Sequence, residues 1–139
     1  MDYLILADEL ALPEYSGMTD LEASASINTE DIAIKLSIPS QEIQKYLALV
    51  DKLIPMEESV LASAVEAVRL MDLFSEFDMT DPAVEIKLTE MLAALVVDSL
   101  IDSDDEIAIL AMGDDLISTG VELGLGNVQE ADVAFARTL

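Results

Sequence analysis

The chain contains no cysteine, no histidine and no tryptophan. Without cysteine there is no disulfide frame, no thiolate nucleophile and no cysteine-based zinc site. Without histidine the commonest general base at neutral pH, the commonest metal ligand and every Ser-His or Cys-His pair are gone. Basic residues are nearly as scarce, with 6 Lys+Arg against 29 Asp+Glu and a formal charge of −23. Phosphate neutralisation needs clustered cations, so sequence-independent binding to nucleic acid is excluded, and docking to an anionic membrane surface is disfavoured. The apolar runs Met91–Val97 and Ile107–Met112 are far shorter than the ~20 residues that span a bilayer. Met1–Ala7 carries Asp2 where an export signal has a basic region. The expected setting is therefore soluble, with no export signal visible.

What the chain does have is apolar side chain, at 53% of residues and a mean hydropathy of +0.43. Disorder goes with low hydrophobicity, so a folded domain is expected in spite of the charge. At 139 residues the natural reading is a single helical domain over 1–139 that buries about 70% of its unfolded surface.

Apolar residues recur at three- and four-residue spacing almost throughout, which predicts an all-α fold of about seven helices, several short. The first helix spans Asp2 to Leu12 with Leu4, Ala7, Leu10 and Ala11 on its buried stripe, and stops at Pro13. Thr19-Asp20-Leu21-Glu22 reads as a capping box opening a brief helix that ends at Asn28. A short helix is expected from Glu30 to Ser37, and another, capped by Ser40, from Gln41 to Leu53. A long helix follows from Met56 to Phe77, preceded by Pro55, with Val60 on its buried face and Glu57 and Glu58 in its first turn. Thr80 and Pro82 start the next, to about Leu100, whose face of Val84, Leu88, Met91, Leu92, Leu95 and Val96 marks it as the centre of the core. Ser103–Glu106 is a second capping box, for a helix to Leu123 in which Gly113 and Gly120 imply close packing or a kink. Gly124 and Gly126 end it, and a last helix runs from Asn127 through Phe135.

No constellation points to catalysis, a cofactor or a metal. The acids at Asp102, Asp104, Asp105 and Glu106 lack the glycine and glutamate of a calcium loop and are accounted for by helix starts. Gly124-Leu125-Gly126 lacks the spacing and the lysine of a phosphate cradle. Thr29 to Leu47 has the outline of a helix-turn-helix, and Lys35, Lys45 and Lys52 lie in or just after it. Glu30, Asp31, Glu42 and Asp51 cancel those lysines, which favours a plain helical corner and no direct contact with nucleic acid. The methionines at 56, 71, 79, 91 and 112 read as core filler.

Acidity is the property that core formation does not explain. Residues 1–34 contain no Lys or Arg, and none occurs between Lys87 and Arg137. Three uses fit: a structural subunit docking on other proteins, a DNA mimic, or charge kept for solubility.

The two ends carry a resemblance. Leu6 to Asn28, LADELALPEYSGMTDLEASASIN, and Ile117 to Arg137, ISTGVELGLGNVQEADVAFAR, together cover about a third of the chain. In these stretches the sequence resembles a family of small, mostly uncharacterised proteins encoded by tailed bacteriophages, from which it departs at Thr119-Gly120, where the family commonly has a basic residue. The resemblance implies a phage origin and a role in the virion or its assembly, and it brings no catalytic residues. The leading expectation is a non-enzymatic phage structural or accessory protein of the tail or neck. It would act through contacts with other phage structural proteins or with itself, and the candidate interaction residues are Tyr15, Met18, Leu123, Leu125, Val128, Phe135 and Arg137. The alternative is an acidic DNA mimic that inhibits a basic host protein of defence or transcription, and the third is a helix-turn-helix regulator.

Overall fold

The computed structural model describes all 139 residues. It is mostly helical, with 60% of residues in helix, but not strictly all-α. Nine α-helices are joined by four short strands, and the strands pair as two two-stranded sheets, β1 with β4 and β2 with β3. The chain forms two compact units, one from residues 35–115 and one from the two ends, 1–34 and 116–139.

The terminal unit begins with α1 (Tyr3–Leu10), capped by Asp2, whose carboxylate accepts from the Ile5 N–H at 3.2 Å. A 3-10 turn at Pro13–Tyr15 leads to α2 (Asp20–Asn28). Thr19 Oγ1 accepts from the Glu22 N–H at 3.1 Å, so the Thr19 arm of the expected capping box is formed. The next segment corrects the sequence reading: Glu30–Lys35 is strand β1, not a helix. Ile32 and Ile34 are its half-buried residues and their neighbours are exposed, a period of two that suits a strand with one covered face. The helix-turn-helix outline therefore lacks its first helix. After strand β4 (Asp114–Ser118) come α8 (Thr119–Glu122) and α9 (Glu130–Ala136). The last of these packs on α1 and α2. Leu6, Ala23, Ile27, Val128, Val133 and Ala136 are buried among them. On α1 the inward residues are Leu6 and Leu10, whereas Leu4, expected inside, is 70% exposed.

The central unit holds β2 (Ser37–Pro39), α3 (Ser40–Leu49), α4 (Leu53–Glu58), α5 (Ala62–Leu73), β3 (Glu76–Asp78), α6 (Pro82–Val97) and α7 (Ser103–Ala111). Strands β2 and β3 are antiparallel with Ile38 opposite Phe77, and both side chains are fully buried. Ser40 is the first residue of α3 rather than its cap, and its hydroxyl donates to the Phe74 carbonyl. Helix α6 is central as expected: Leu88, Met91, Leu92 and Leu95 are buried against α5, α7 and β3.

Helix ends account for most of the remaining corrections. The long helix expected over Met56–Phe77 is broken at Ser59–Leu61, where the Ser59 hydroxyl accepts from the Leu61 N–H at 3.2 Å. Val60 is consequently 93% exposed, and Phe77 lies in a strand. Glu57 and Glu58 close α4 instead of opening a helix. Asp81, not Thr80, caps α6, while Thr80 donates its hydroxyl to Asp78. The box at the start of α7 is built from Asp102 and Asp105, one residue before the expected pair. Helix α7 stops at Ala111, because the chain turns into β4 before α8.

Three helices end in Schellman motifs. In each, a residue in the left-handed region lets two N–H groups reach back to the last turn. Gly124 (φ 74) does this for α8, with Leu125 N–H donating to the Gly120 carbonyl at 2.7 Å. Asp51 (φ 60) does it for α3, with Lys52 N–H on Leu47, and Ser99 (φ 59) for α6, with Leu100 N–H on Leu95. Because the last two are not glycines, the sequence gives no stop there, and both helices were expected to run longer. The close packing expected at the internal glycines is present. A methyl at Gly113 would lie 2.9 Å from Met79 Cγ and 3.1 Å from Ile38 Cδ1, and one at Gly120 would meet the Gly126 carbonyl oxygen.

Candidate functional site

The candidate interaction residues from the two ends come together in the terminal unit. Tyr15, Leu125 and Val128 are buried in its core, and Met18 and Leu123 are half-buried against it. Tyr15 donates its hydroxyl to Glu9 at 2.7 Å, and burial first, then that carboxylate, holds the phenol above its ordinary range. Arg137 donates to Asp20 at 2.6 Å and to the Tyr15 carbonyl at 3.3 Å, joining the two ends of the chain. Asn28, which the sequence reading treated only as a helix stop, pairs with Val128 through two bonds. Its amide nitrogen donates to the Val128 carbonyl at 2.7 Å, and its amide oxygen accepts from the Val128 N–H at 2.9 Å. Phe135 is the exception, at 51% exposed, with its ring edge-on to Tyr3 at 4.6 Å between centroids. Most of the quoted residues thus hold the ends to each other, and Leu12, Leu21, Val121 and Phe135 are the large apolar side chains these segments present to solvent.

The central unit contains a charge cluster that sequence reasoning missed. Asp105, 4% exposed, is the one buried acid among the 29. Its carboxylate accepts from the Lys52 ammonium, from the Tyr46 hydroxyl at 2.8 Å and from the Asp102 N–H at 3.1 Å. Asp102 in turn accepts from the Asp105 N–H at 2.9 Å and from Lys52 at 3.2 Å. The Schellman turn at Asp51 aims Lys52 back over the start of α7, so one helix terminus supplies the cation for the next helix's cap. Burial pushes the Asp105 carboxyl upward, but the Lys52, Asp102 and Tyr46 donors together outweigh it and hold it below the usual carboxylate range. The Asp105 acceptor raises both Tyr46 and Lys52. Acid–base catalysis at neutral pH needs groups drawn toward 7. Here the acid is made stronger, the amine more basic and the phenol harder to ionise, so the cluster acts as a clamp between α3 and α7. No buried polar side-chain atom of the protein lacks a hydrogen-bond partner. The signal for the clamp lay in two separate places, a lysine after α3 and the acid run before α7, and nothing local links positions 53 residues apart.

The surface is the remaining candidate. Between α5 and α6 runs an open groove of about 520 Å³ with Leu70 and Met91 at its floor and Glu66, Lys87, Glu90 and Asp98 on its walls. Large apolar side chains stand exposed elsewhere too, among them Leu49 (82%) and Val97 (80%). No helix is long and apolar enough to cross a membrane. The chain matches no family model, no curated protein and no solved structure.

Proposed function

We propose that this chain is a phage structural or accessory protein that works by protein–protein contact, in the tail or neck of the particle. The observation that carries this reading is the combination of 19 exposed large apolar side chains with a charge that is 29 Asp+Glu against 6 Lys+Arg. Scattered surface apolar residues are ordinary, but such a set on a 139-residue chain supplies apolar contact area that the fold leaves in water. The charge keeps the free protein dispersed and steers it toward partners of opposite sign. Eighteen acids and five bases lie in the central unit and eleven acids and one base in the terminal unit, so both carry the excess. The resemblance at the two ends supplies the phage setting. The test is a mass-spectrometric inventory of purified particles: the chain is expected at stoichiometric abundance, and its absence would overturn the reading.

A second reading, an acidic mimic of DNA directed at a host defence or transcription protein, is favoured by the placement of every acid but Asp105 outside the core. It predicts that the chain displaces DNA from such a protein at low salt and fails to do so at high salt. Displacement that is indifferent to salt would count against it.

A further inference from the structure

We propose that the groove between α5 and α6 is the seat of a basic amphipathic helix from a partner protein. The inference deepens the contact function above and rests on it. Ser63 donates to Asp98 at 2.5 Å, and the groove lining pairs Ala62 and Ser63 with Asp98 at one end and Leu70 with Lys87, Glu90 and Met91 at the other, so the start of α5 is beside the end of α6 and the two helices run antiparallel. An antiparallel pair leaves a longitudinal furrow into which a third helix packs by the same ridge-and-groove geometry. The furrow has an apolar floor at Leu70 and Met91, and its small residues, Ala62 and Ala94, let a third backbone approach closely.

Helix α6 is itself incomplete as a surface helix. Its inward face is buried, yet Ile86 is 57% exposed and Val97 80%, and with Glu90 and Ala93 they form a second stripe at four- and three-residue spacing. Beyond Glu90 a further depression continues over Pro82, Ile86 and Thr89 with Glu85 at its edge. Apolar residues on both sides of one helix suit a helix that is covered on both sides.

Charge selects the occupant. Along this face Glu66 is already paired with Arg69 at 2.6 Å, so Glu85, Glu90 and Asp98 stand against the single cation Lys87. A second copy of the chain, with its 29 acids against 6 bases, would set like charge against like at this face. A partner helix with apolar residues at three- and four-residue spacing and lysine or arginine beside them meets both the floor and the rim.

The test uses the full chain and a synthetic helical peptide with leucines at that spacing flanked by lysines. Two controls accompany it, a scrambled peptide of the same composition and a version with glutamate in place of lysine. In an isotope-labelled titration the first peptide is expected to shift amides along α5 and α6, and both controls to bind at least tenfold more weakly. Ala94→Phe fills the groove at an exposed position and is expected to weaken binding at least tenfold. Glu90→Lys is expected to weaken it and to flatten its salt dependence. Equal binding of the scrambled peptide, or no effect of Ala94→Phe, overturns the proposal. So does concentration-dependent self-association that Ala94→Phe abolishes, which would make a second copy the occupant. Ala94→Phe protein present in purified particles at the normal level removes the groove and leaves the contact function standing, whereas absence of the unmodified chain from particles removes the contact function itself.

Discussion

The two units reach a packed core by different routes. The central unit is one uninterrupted stretch of chain, it holds five of the six basic residues, and it encloses the larger apolar cluster around α6. The terminal unit is assembled from segments separated by that whole stretch, it has the single cation Arg137, and its core is the smaller one. In the central unit all the packing is made within one stretch, and the face of α6 was placed from local pattern although the breaks at Asp51 and Ser59–Leu61 were not. In the terminal unit the cost of closing a long loop is offset by the packing of α9 on α1 and α2 and by pairs such as Arg137 with Asp20 and Asn28 with Val128. The difference teaches that the conspicuous end motifs are, for the most part, the means by which the ends find each other.

Removing residues 129–139 is the most severe way to break the comparison. It deletes α9, and with it Val133, Ala136 and Arg137. Hydrogen exchange is expected to show α1 and α2 losing protection while α5 and α6 keep theirs. Uniform loss across the chain would show that the central unit does not hold by itself.

Asp105→Asn attacks the central unit instead and is expected to cost on the order of 2 kcal/mol at pH 7, since charged acceptors of several donors are lost together. The pH dependence has a definite sign. The Asp105 carboxyl is lowered in the folded state, so the unfolded chain takes up its proton first as pH falls. The stabilisation is present above the ordinary aspartate value of about 3.9 and disappears as pH drops through the lower, folded value. Denaturant midpoints of the two proteins are therefore expected to differ fully at pH 6–7 and to converge under acid conditions.

The internal glycines give a paired test. At Gly120 an added methyl meets the backbone oxygen of Gly126, whose own N–H donates to the Gly120 carbonyl at 3.2 Å, so neither side can move without losing a bond. Gly120→Ala is expected to cost about 2 kcal/mol in the terminal unit. Gly113→Ala meets mainly the flexible Met79 side chain in the central unit, and a smaller loss, about 1 kcal/mol, is expected in thermal unfolding.

Helix ends separate the units again, because α8 uses Gly124 where α6 uses Ser99 in the same left-handed conformation. Ser99→Gly is expected to stabilise by roughly 0.5–1 kcal/mol, read as a rise in denaturant midpoint, since glycine takes that backbone without a Cβ clash. The smallest effect is expected from Arg137→Ala, a half-exposed pair whose loss costs under about 1 kcal/mol and fades with added salt in the same measurement.

Several features were legible in the residues alone. Thr19 and Pro82 mark helix starts that the structure retains, the α6 face of Leu88, Met91, Leu92 and Leu95 is the core, and Gly113 and Gly120 are points of close approach. What failed had a common cause. Ile32 and Ile34 alternate over too few residues to outweigh the helical pattern around them, and their strand depends on a partner 80 or so positions away. Asp51 and Ser99 stop helices in a conformation usually signalled by glycine. Of the candidate interaction residues Phe135 stands exposed, while the groove between α5 and α6 left no mark in the sequence, because a furrow belongs to two helices and to neither sequence segment.

By itself, then, the sequence determined the mostly helical character of the chain, the helix starts after Thr19 and at Pro82, its uncompensated negative charge and the absence of cysteine and histidine chemistry. These are properties of composition and of three- or four-residue spacing, which the chain carries locally. Only the tertiary structure decided that the ends form a unit of their own, that Lys52 belongs to Asp105, and which apolar residues remain in water. Each of those depends on pairings between residues tens of positions apart, where the free energy lies in mutual burial and charge contact that no local pattern records.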